Sequence, residues 1–560
     1  MATIDWISTT GGNWSNAADW YGGVVPGYHD DAVIAAGTAS YTVTITAAEA
    51  VNSLTVNNSH ATVSIASGGA IGLGSDLNLD AGVVTLGAGG VISGGTIIQN
   101  GGSIAYDGAT LEGVTVEGTL NLRGAGSSVT IAGAGIVLTG AGGSGPGAIS
   151  VPGDNSYIFV EGNQTLDNAA AVFGDATGLE QVQTSSAPGT LTLGPNFVFE
   201  QAAGVTRISD VSATPGDECV NQGTIEATTN GIFFLEVVDF VNEGVFLAGN
   251  GAIVSIIGPA SFENAAGGTL DIEAGEKVAT GTVSASFAGL LTGGGNFAAE
   301  RATISGLTVG GGSRFVDYGT VTQTGALTLG DGAGGTGRLT IEKNRTYLIA
   351  GSSNILRGTS TASRVVVSGT LDKTSGGGLA SVAVAVSNAG VIGVTAGVLD
   401  FTQAITGAGA FQIGAGATLR FGGRVAATLT ATFEAAAGTL ALTRATAFDA
   451  TIAGFAPGDE IDLINKKATT VSLQAGDKLL VQNGSVTVAD LQLAGDFTGD
   501  TFNLTSDGKG GTNIAVSSGP VAAHALTQAM AAVAAPPAPA HAPVAVGAAH
   551  PVLLAAPAGH

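Results

Sequence analysis

Along most of this chain apolar and polar residues alternate for a few positions and then stop at a glycine. Ser53-Leu54-Thr55-Val56, Gly82-Val83-Val84-Thr85-Leu86 and Gly118-Thr119-Leu120-Asn121-Leu122 are typical. Period-two alternation rich in β-branched residues predicts short strands, and helical periodicity is nearly absent. The strands also repeat over a longer interval. Cys219-Val-Asn221-Gln-Gly223-Thr-Ile225, Phe240-Val-Asn242-Glu-Gly244-Val-Phe246 and Phe262-Glu-Asn264-Ala-Ala-Gly-Gly268-Thr-Leu270 share one frame. Their Asn residues lie 21 and then 22 residues apart, too far for a hairpin and about right for one turn of a three-strand coil. The pattern therefore predicts an all-β fold, a parallel β-helix. Stacked coils would set Cys219 over Phe240 over Phe262 and align Asn221, Asn242 and Asn264 as an amide ladder. Ser387-Asn388-Ala-Gly390-Val-Ile392 repeats the frame, and Gly416-Ala-Thr-Leu419 and Gly438-Thr-Leu440 carry the period onward.

Four segments follow from this pattern. Residues 1–46 hold all three Trp (Trp6, Trp14, Trp20) and read as an N-terminal cap over the first coil's core. A sugar-stacking Trp platform is the alternative. Residues 47–455 form the β-helix body, in which the Gly-rich stretch Gly124–Gly153 reads as a loop or lateral insertion. Within it, Gly334-Gly335-Thr336-Gly337-Arg338 has the look of a phosphate loop but lacks the following Lys-Ser/Thr pair, so it reads as a coil corner. Residues 456–517 supply further strands and a C-terminal β cap. Residues 518–560, rich in Ala and Pro and without Asp, Glu, Lys or Arg, form a tail that cannot bury enough surface to fold alone. The sequence reading is a disordered tail with a transient helix at Val521–Ala534, stopped by Pro536-Pro537.

Composition narrows the partners. With 43 acidic and 18 basic residues the chain carries a formal charge of −25, which speaks against nucleic acid as a partner. The 91 Gly suit tight corners without the strict period of collagen. Cys219 is the single cysteine, which removes any intrachain disulfide, and it reads as a buried small hydrophobe. No apolar run reaches about 18 residues, so no transmembrane helix is expected. The amino end shows no secretory signal.

The opening Trp14-Ser-Asn16-Ala-Ala-Asp-Trp20 … Val25-Pro26-Gly27 … Asp30-Asp31-Ala-Val33-Ile34 … Tyr41-Thr-Val43-Thr-Ile45 resembles the start of bacterial β-strand-repeat proteins of the autotransporter-like or adhesin-like kind. So do Gly94-Gly95-Thr96, Gly108 to Gly118-Thr119-Leu120, the Asn-x-Gly coils and the block from Gly454-Phe455 to Gly511-Thr512. The resemblance covers nearly all of residues 1–517. It implies a right-handed, pectin-lyase-like β-helix and export from the cell. An autotransporter's membrane barrel does not fit in the Ala/Pro tail. The missing leader and uncharged tail look instead like type I export, with the tail as signal or anchor.

Candidate chemistry is sparse. Asp30-Asp31, Asp217-Glu218 and Asp459-Glu460 are acidic pairs at turns, where Asp also serves as a turn former, and basic residues to act beside them are few. Asp459, Glu460 and Asp462, with Asp496, Asp500 and Asp507 downstream, have the oxygen-rich composition of a calcium site near the final cap. The four Asn of the frame are expected to serve the stack rather than a ligand. The function expected is that of an extracellular structural or adhesive rod without catalysis, its partner an extracellular polysaccharide, a host or abiotic surface, or a second copy. A polysaccharide-active enzyme and a calcium-dependent surface-layer component are the alternatives.

Overall fold

A computed structural model describes residues 2–174, 178–184, 188–210, 215–258 and 260–519. The tail expectations, including the helix at 521–534 and the export signal, lie outside the described residues.

The chain winds into a β-solenoid of about 20 parallel coils. At about 4.8 Å per strand spacing such a stack is roughly 100 Å long. One coil carries the strands Glu218–Asn221, Thr224–Ala227 and Ile232–Glu236. The next carries Asp239–Asn242, Val245–Ala248 and Ile253–Ile256, each hydrogen-bonded in parallel to its predecessor. Alternation turns one residue in two inward. Cys219, Phe240 and Phe262 stand in register, as the frame predicts, and all three are buried. The rings of Phe240 and Phe262 stack at 5.5 Å, and further Phe pairs (Phe173–Phe199, Phe297–Phe315, Phe401–Phe421) stack along the axis.

The glycine of the Asn frame answers a steric demand. A Cβ on Gly244 would run into the Gly223 carbonyl oxygen, and one on Gly223 into that of Phe197. The Gly-Thr-Leu corners are looser: Thr418 pairs with Thr439 and Leu419 with Leu440, which leaves Gly416 one position out of line with Gly438.

One expectation about loops changes, and the coil corner stands. Gly124–Gly153 contains the strands Ser128–Thr139 and Gly147–Val151, both paired within the stack, so it is coil and not an insertion. Its alternating Val129, Ile131, Ile136 and Leu138 are buried, which outweighs the entropic cost of the glycines between them. The Gly330–Gly337 turn is wound on Asp331, whose carboxylate accepts the amides of Gly311 (2.7 Å), Ala333 (2.9 Å) and Gly335 (2.8 Å).

At the amino end Thr3–Asp5 lies on Asp31–Ile34, and Gly12–Asn13 on Tyr41–Ile45, so the first strands already belong to the parallel stack. The three Trp close its core. Trp20 makes edge contacts with Trp6 (5.0 Å) and Trp14 (4.7 Å), and its indole N–H donates to the Trp14 carbonyl. At the carboxyl end the pairing reverses. Glu460–Leu463 takes Thr512–Ser517 antiparallel, Thr501–Ser506 closes a hairpin on that strand, and Thr470–Gln474, Lys478–Asn483 and Val486–Ala494 form an antiparallel meander. The outermost strands, Thr470–Gln474 and Thr501–Ser506, are largely exposed and carry Thr, Ser, Gln and Asn, which blunts their edges.

Candidate functional site

The polar interior is the first place to look for chemistry, because a buried polar group must be paired or else it costs stability. The three Asn of the first frames form a continuous ladder. Asn221 Nδ2 donates to Asn242 Oδ1 at 2.8 Å and Asn242 Nδ2 to Asn264 Oδ1 at 2.8 Å. Each amide also donates to a backbone carbonyl one coil on: Val245, Thr269 and Ala288 respectively. Asn388 stands apart, between Val367 and Gly407 in the stack; it donates to the Ala410 carbonyl and accepts the Gly390 amide. The four side chains are fully buried and turned into the wall of the coil, so a ligand outside cannot reach them.

Buried charges play a similar part. Lys373, fully buried, caps a corner by donating to the carbonyls of Gly351 (2.7 Å), Ser375 (2.7 Å) and Gly376 (3.0 Å), and burial lowers its pKa. Asp317 accepts the Gly319 amide through Oδ1 (2.9 Å), while its Oδ2 is buried without a partner. Burial pushes this carboxyl up to about 7, against the pull of the Gly319 amide and of Arg345. Sequence reasoning passed over both residues, since a single charge in a strand carries no signal of its burial.

The acidic pairs divide between backbone and solvent. Asp217 is fully buried and accepts the Gly189 amide (2.8 Å), whereas Glu218 is half-buried. Asp30 accepts the Gly27 amide, and Asp31 accepts from Asn52 Nδ2 and Ser53 Oγ, which hold its carboxyl below the usual range. No pair presents two carboxylates to a common substrate position.

The predicted calcium set does not assemble. Among the described residues no three His, Cys, Asp or Glu side chains come close enough to share a metal ion. Asp459 is 2% exposed and accepts the amides of Gly438 (3.1 Å) and Ala456 (3.1 Å), joining the last coils. Asp507 accepts the amides of Lys509 (2.7 Å) and Gly511 (2.7 Å), closing the final hairpin. Asp496 accepts the Thr498 amide (3.0 Å) in a turn of its own, and Asp500 accepts the Gly519 amide (3.3 Å) across the open end of the terminal hairpin. Glu460 and Asp507 both act on Asp462. Burial first, then Asp507 and Glu460, raises the Asp462 carboxyl, with Lys509 opposing. At Asp459, Asp496 and Asp507 backbone amides, invisible in a residue pattern, take oxygens that a metal would use. Calcium and a chelator are each expected to leave the melting temperature unchanged, and a rise with calcium in a thermal scan would restore the ligand set.

The Trp platform is likewise closed. Trp6, Trp14 and Trp20 are each at most 1% exposed, so no ring face is free for a pyranose. Cys219 is buried and its thiol is pushed up to about 12, mainly by burial, which makes it inert at neutral pH. No helix among the described residues is long and apolar enough to cross a membrane. No protein-family model matches the chain, and no curated protein matches it.

Proposed function

We propose that the chain is an extracellular structural or adhesive rod of a bacterial surface or matrix, presenting long sheet faces to a polysaccharide, a surface or neighbouring copies, without catalysis. The observation that supports this reading is where the polar chemistry sits. Asn221, Asn242, Asn264, Asp217, Lys373 and Asp459 all bind coil to coil or corner to corner. Stacked Phe rings add to the same contacts, so each coil stiffens the next. A scaffold of this kind holds its outer faces in fixed register over its whole length.

The test compares cells that produce the protein with cells lacking it. The protein is expected in the medium or on the surface, and its loss is expected to reduce attachment or matrix cohesion. A chain held in the cytoplasm, with attachment unchanged, would sink the reading. Incubating the purified chain with pectins, alginates and glucans is expected to release no new reducing ends and no unsaturated sugars. Turnover abolished by a single substitution would replace the rod with an enzyme.

A further inference from the structure

One row of side chains on the outer surface departs from the rest of this acidic chain. The strands Arg314–Gln323, Arg338–Ile341 and Arg364–Val367 pair in parallel, with Arg314, Arg338 and Arg364 directly over one another. On the preceding coils the same register continues through Asn296 to Lys277. Steps of about 4.8 Å separate neighbours in such a row. Phe315, Leu339 and Val365, the next residues along each strand, are fully buried, so the basic side chains face outward. Arg314 and Arg338 are half-buried, while Arg364 and Lys277 are exposed.

Like charges placed directly opposite each other on paired strands destabilise them. A chain with 43 acidic residues has ample means of neutralising three arginines. It does not use them here. Ion pairs occur at Arg207–Glu236, Arg420–Asp400, Arg424–Asp449 and Lys478–Asp490, and none of the three stacked arginines makes one or donates a side-chain hydrogen bond among the described residues. The mutual repulsion is felt at the centre, where burial first and then Arg364 and Arg314 lower the Arg338 pKa. Beside the guanidinium row runs the next outward row, in which Val316 is 4% and Thr340 8% exposed, and the buried Thr340 hydroxyl has no partner. The row is also held in place. Lys277 Nζ lies 4.7 Å from the centre of the Tyr318 ring, and the Ser313 and Ser363 hydroxyls accept the amides of Gly294 and Gly337 just ahead of the arginines.

We propose that Arg314, Arg338 and Arg364, with Lys277 at the end of the row, form a docking line for an anionic polysaccharide lying along the solenoid axis. Its carboxylate or sulfate groups would each meet a guanidinium fork, geometry that suits Arg better than Lys. A straight line of cations one residue wide fits a thin linear polymer. A protein partner would need an apolar centre, which Val316 at 4% exposure does not supply. Duplex nucleic acid, with its dense phosphates, needs more cations than this row holds and meets a body of net charge −25. The inference deepens the adhesive reading and rests on it for where the ligand is encountered.

The test uses the full chain, alginate as a carboxylate polymer, dextran sulfate as a sulfate polymer, and neutral dextran and duplex DNA as comparisons. Wild type is expected to bind at least one of the two anionic polymers, more weakly as salt rises, and to ignore neutral dextran. R314Q/R338Q/R364Q is expected to lose at least about tenfold in affinity with no fall in melting temperature, because it relieves repulsion. A charge-matched control, K466Q/K467Q/K509Q, is expected to keep its affinity. Equal binding by the row variant and the control, or no wild-type binding to either polymer, would overturn the docking line. Tighter binding of DNA than of both polymers through the same row would overturn the polysaccharide. If deleting the protein still reduces attachment while the purified chain binds neither polymer, the row fails and the adhesive rod stands.

Discussion

Replacing Asn242 with leucine is expected to cost the surrounding coils about 3 kcal/mol, since it strips buried partners at roughly 1–3 kcal/mol for each group left unsatisfied. Asn242 is the middle rung: it accepts from Asn221 and donates to both Asn264 and the Thr269 carbonyl. Leucine fills the space but leaves Asn264 Oδ1 without its donor and Asn221 Nδ2 with the Val245 carbonyl alone. The same change at Asn388, which has no amide neighbour in the stack, is expected to cost less, about 1–2 kcal/mol. A solenoid opens in segments, so hydrogen exchange in Glu218–Asn221, Asp239–Asn242 and Ser261–Asn264 is the appropriate measurement. Protection there equal to wild type would show that the ladder contributes nothing beyond packing.

Asp317→Asn is expected to raise stability at pH 8 and to flatten its pH dependence. Burial pushes the carboxyl up to about 7 in the folded chain, well above the ordinary carboxylate range. A raised acid pKa means the folded state holds the proton where the unfolded state has released it. Stability is therefore full below about pH 4 and falls as pH rises towards about 7, by up to about 4 kcal/mol for this one group. Asp217, Asp271, Asp372, Asp459 and Asp462 are raised as well and act in the same direction, whereas the lowered Asp31 and Asp331 lose their contribution as pH falls. Melting of wild type and variant at pH 5.5 and pH 8 checks this. An unchanged difference between the two pH values in the variant would show that Asp317 is ionised and tolerated, with Arg345 as its counter-charge.

A solenoid exposes its register in its sequence because contacting residues are separated by one coil and by nothing else. That is why the Cys219, Phe240, Phe262 stack and the three-rung amide ladder could be anticipated from the Asn frame. Strands survive a high glycine content where the alternating Val129 and Ile131 still face the core, and composition alone hid this. Acidic residues near the final cap looked like ligands because a residue pattern shows carboxylates but not the amides of Gly438, Ala456, Lys509 and Gly511 that occupy them. The arginine row escaped notice for a different reason. Its members lie at longer and unequal intervals, since the turns between their coils differ in length, and only the strand pairing brings them into line.

The reversal of strand direction at the carboxyl end has a kinetic consequence. Every parallel coil must close a loop of a full turn, such as the 21 residues from Asn221 to Asn242, before its first cross-strand bond forms. The terminal meander closes over the three residues between Gln474 and Lys478, so it sacrifices far less chain entropy to start. With the hairpin of Thr501–Ser506 and Thr512–Ser517 it shares a short closing loop that lets it order early, and through Val486–Ala494 it offers Thr451–Ala453 a ready edge to join. Coils docking on that edge would then add in sequence towards the tryptophans, so that the last strands of the described body begin its folding.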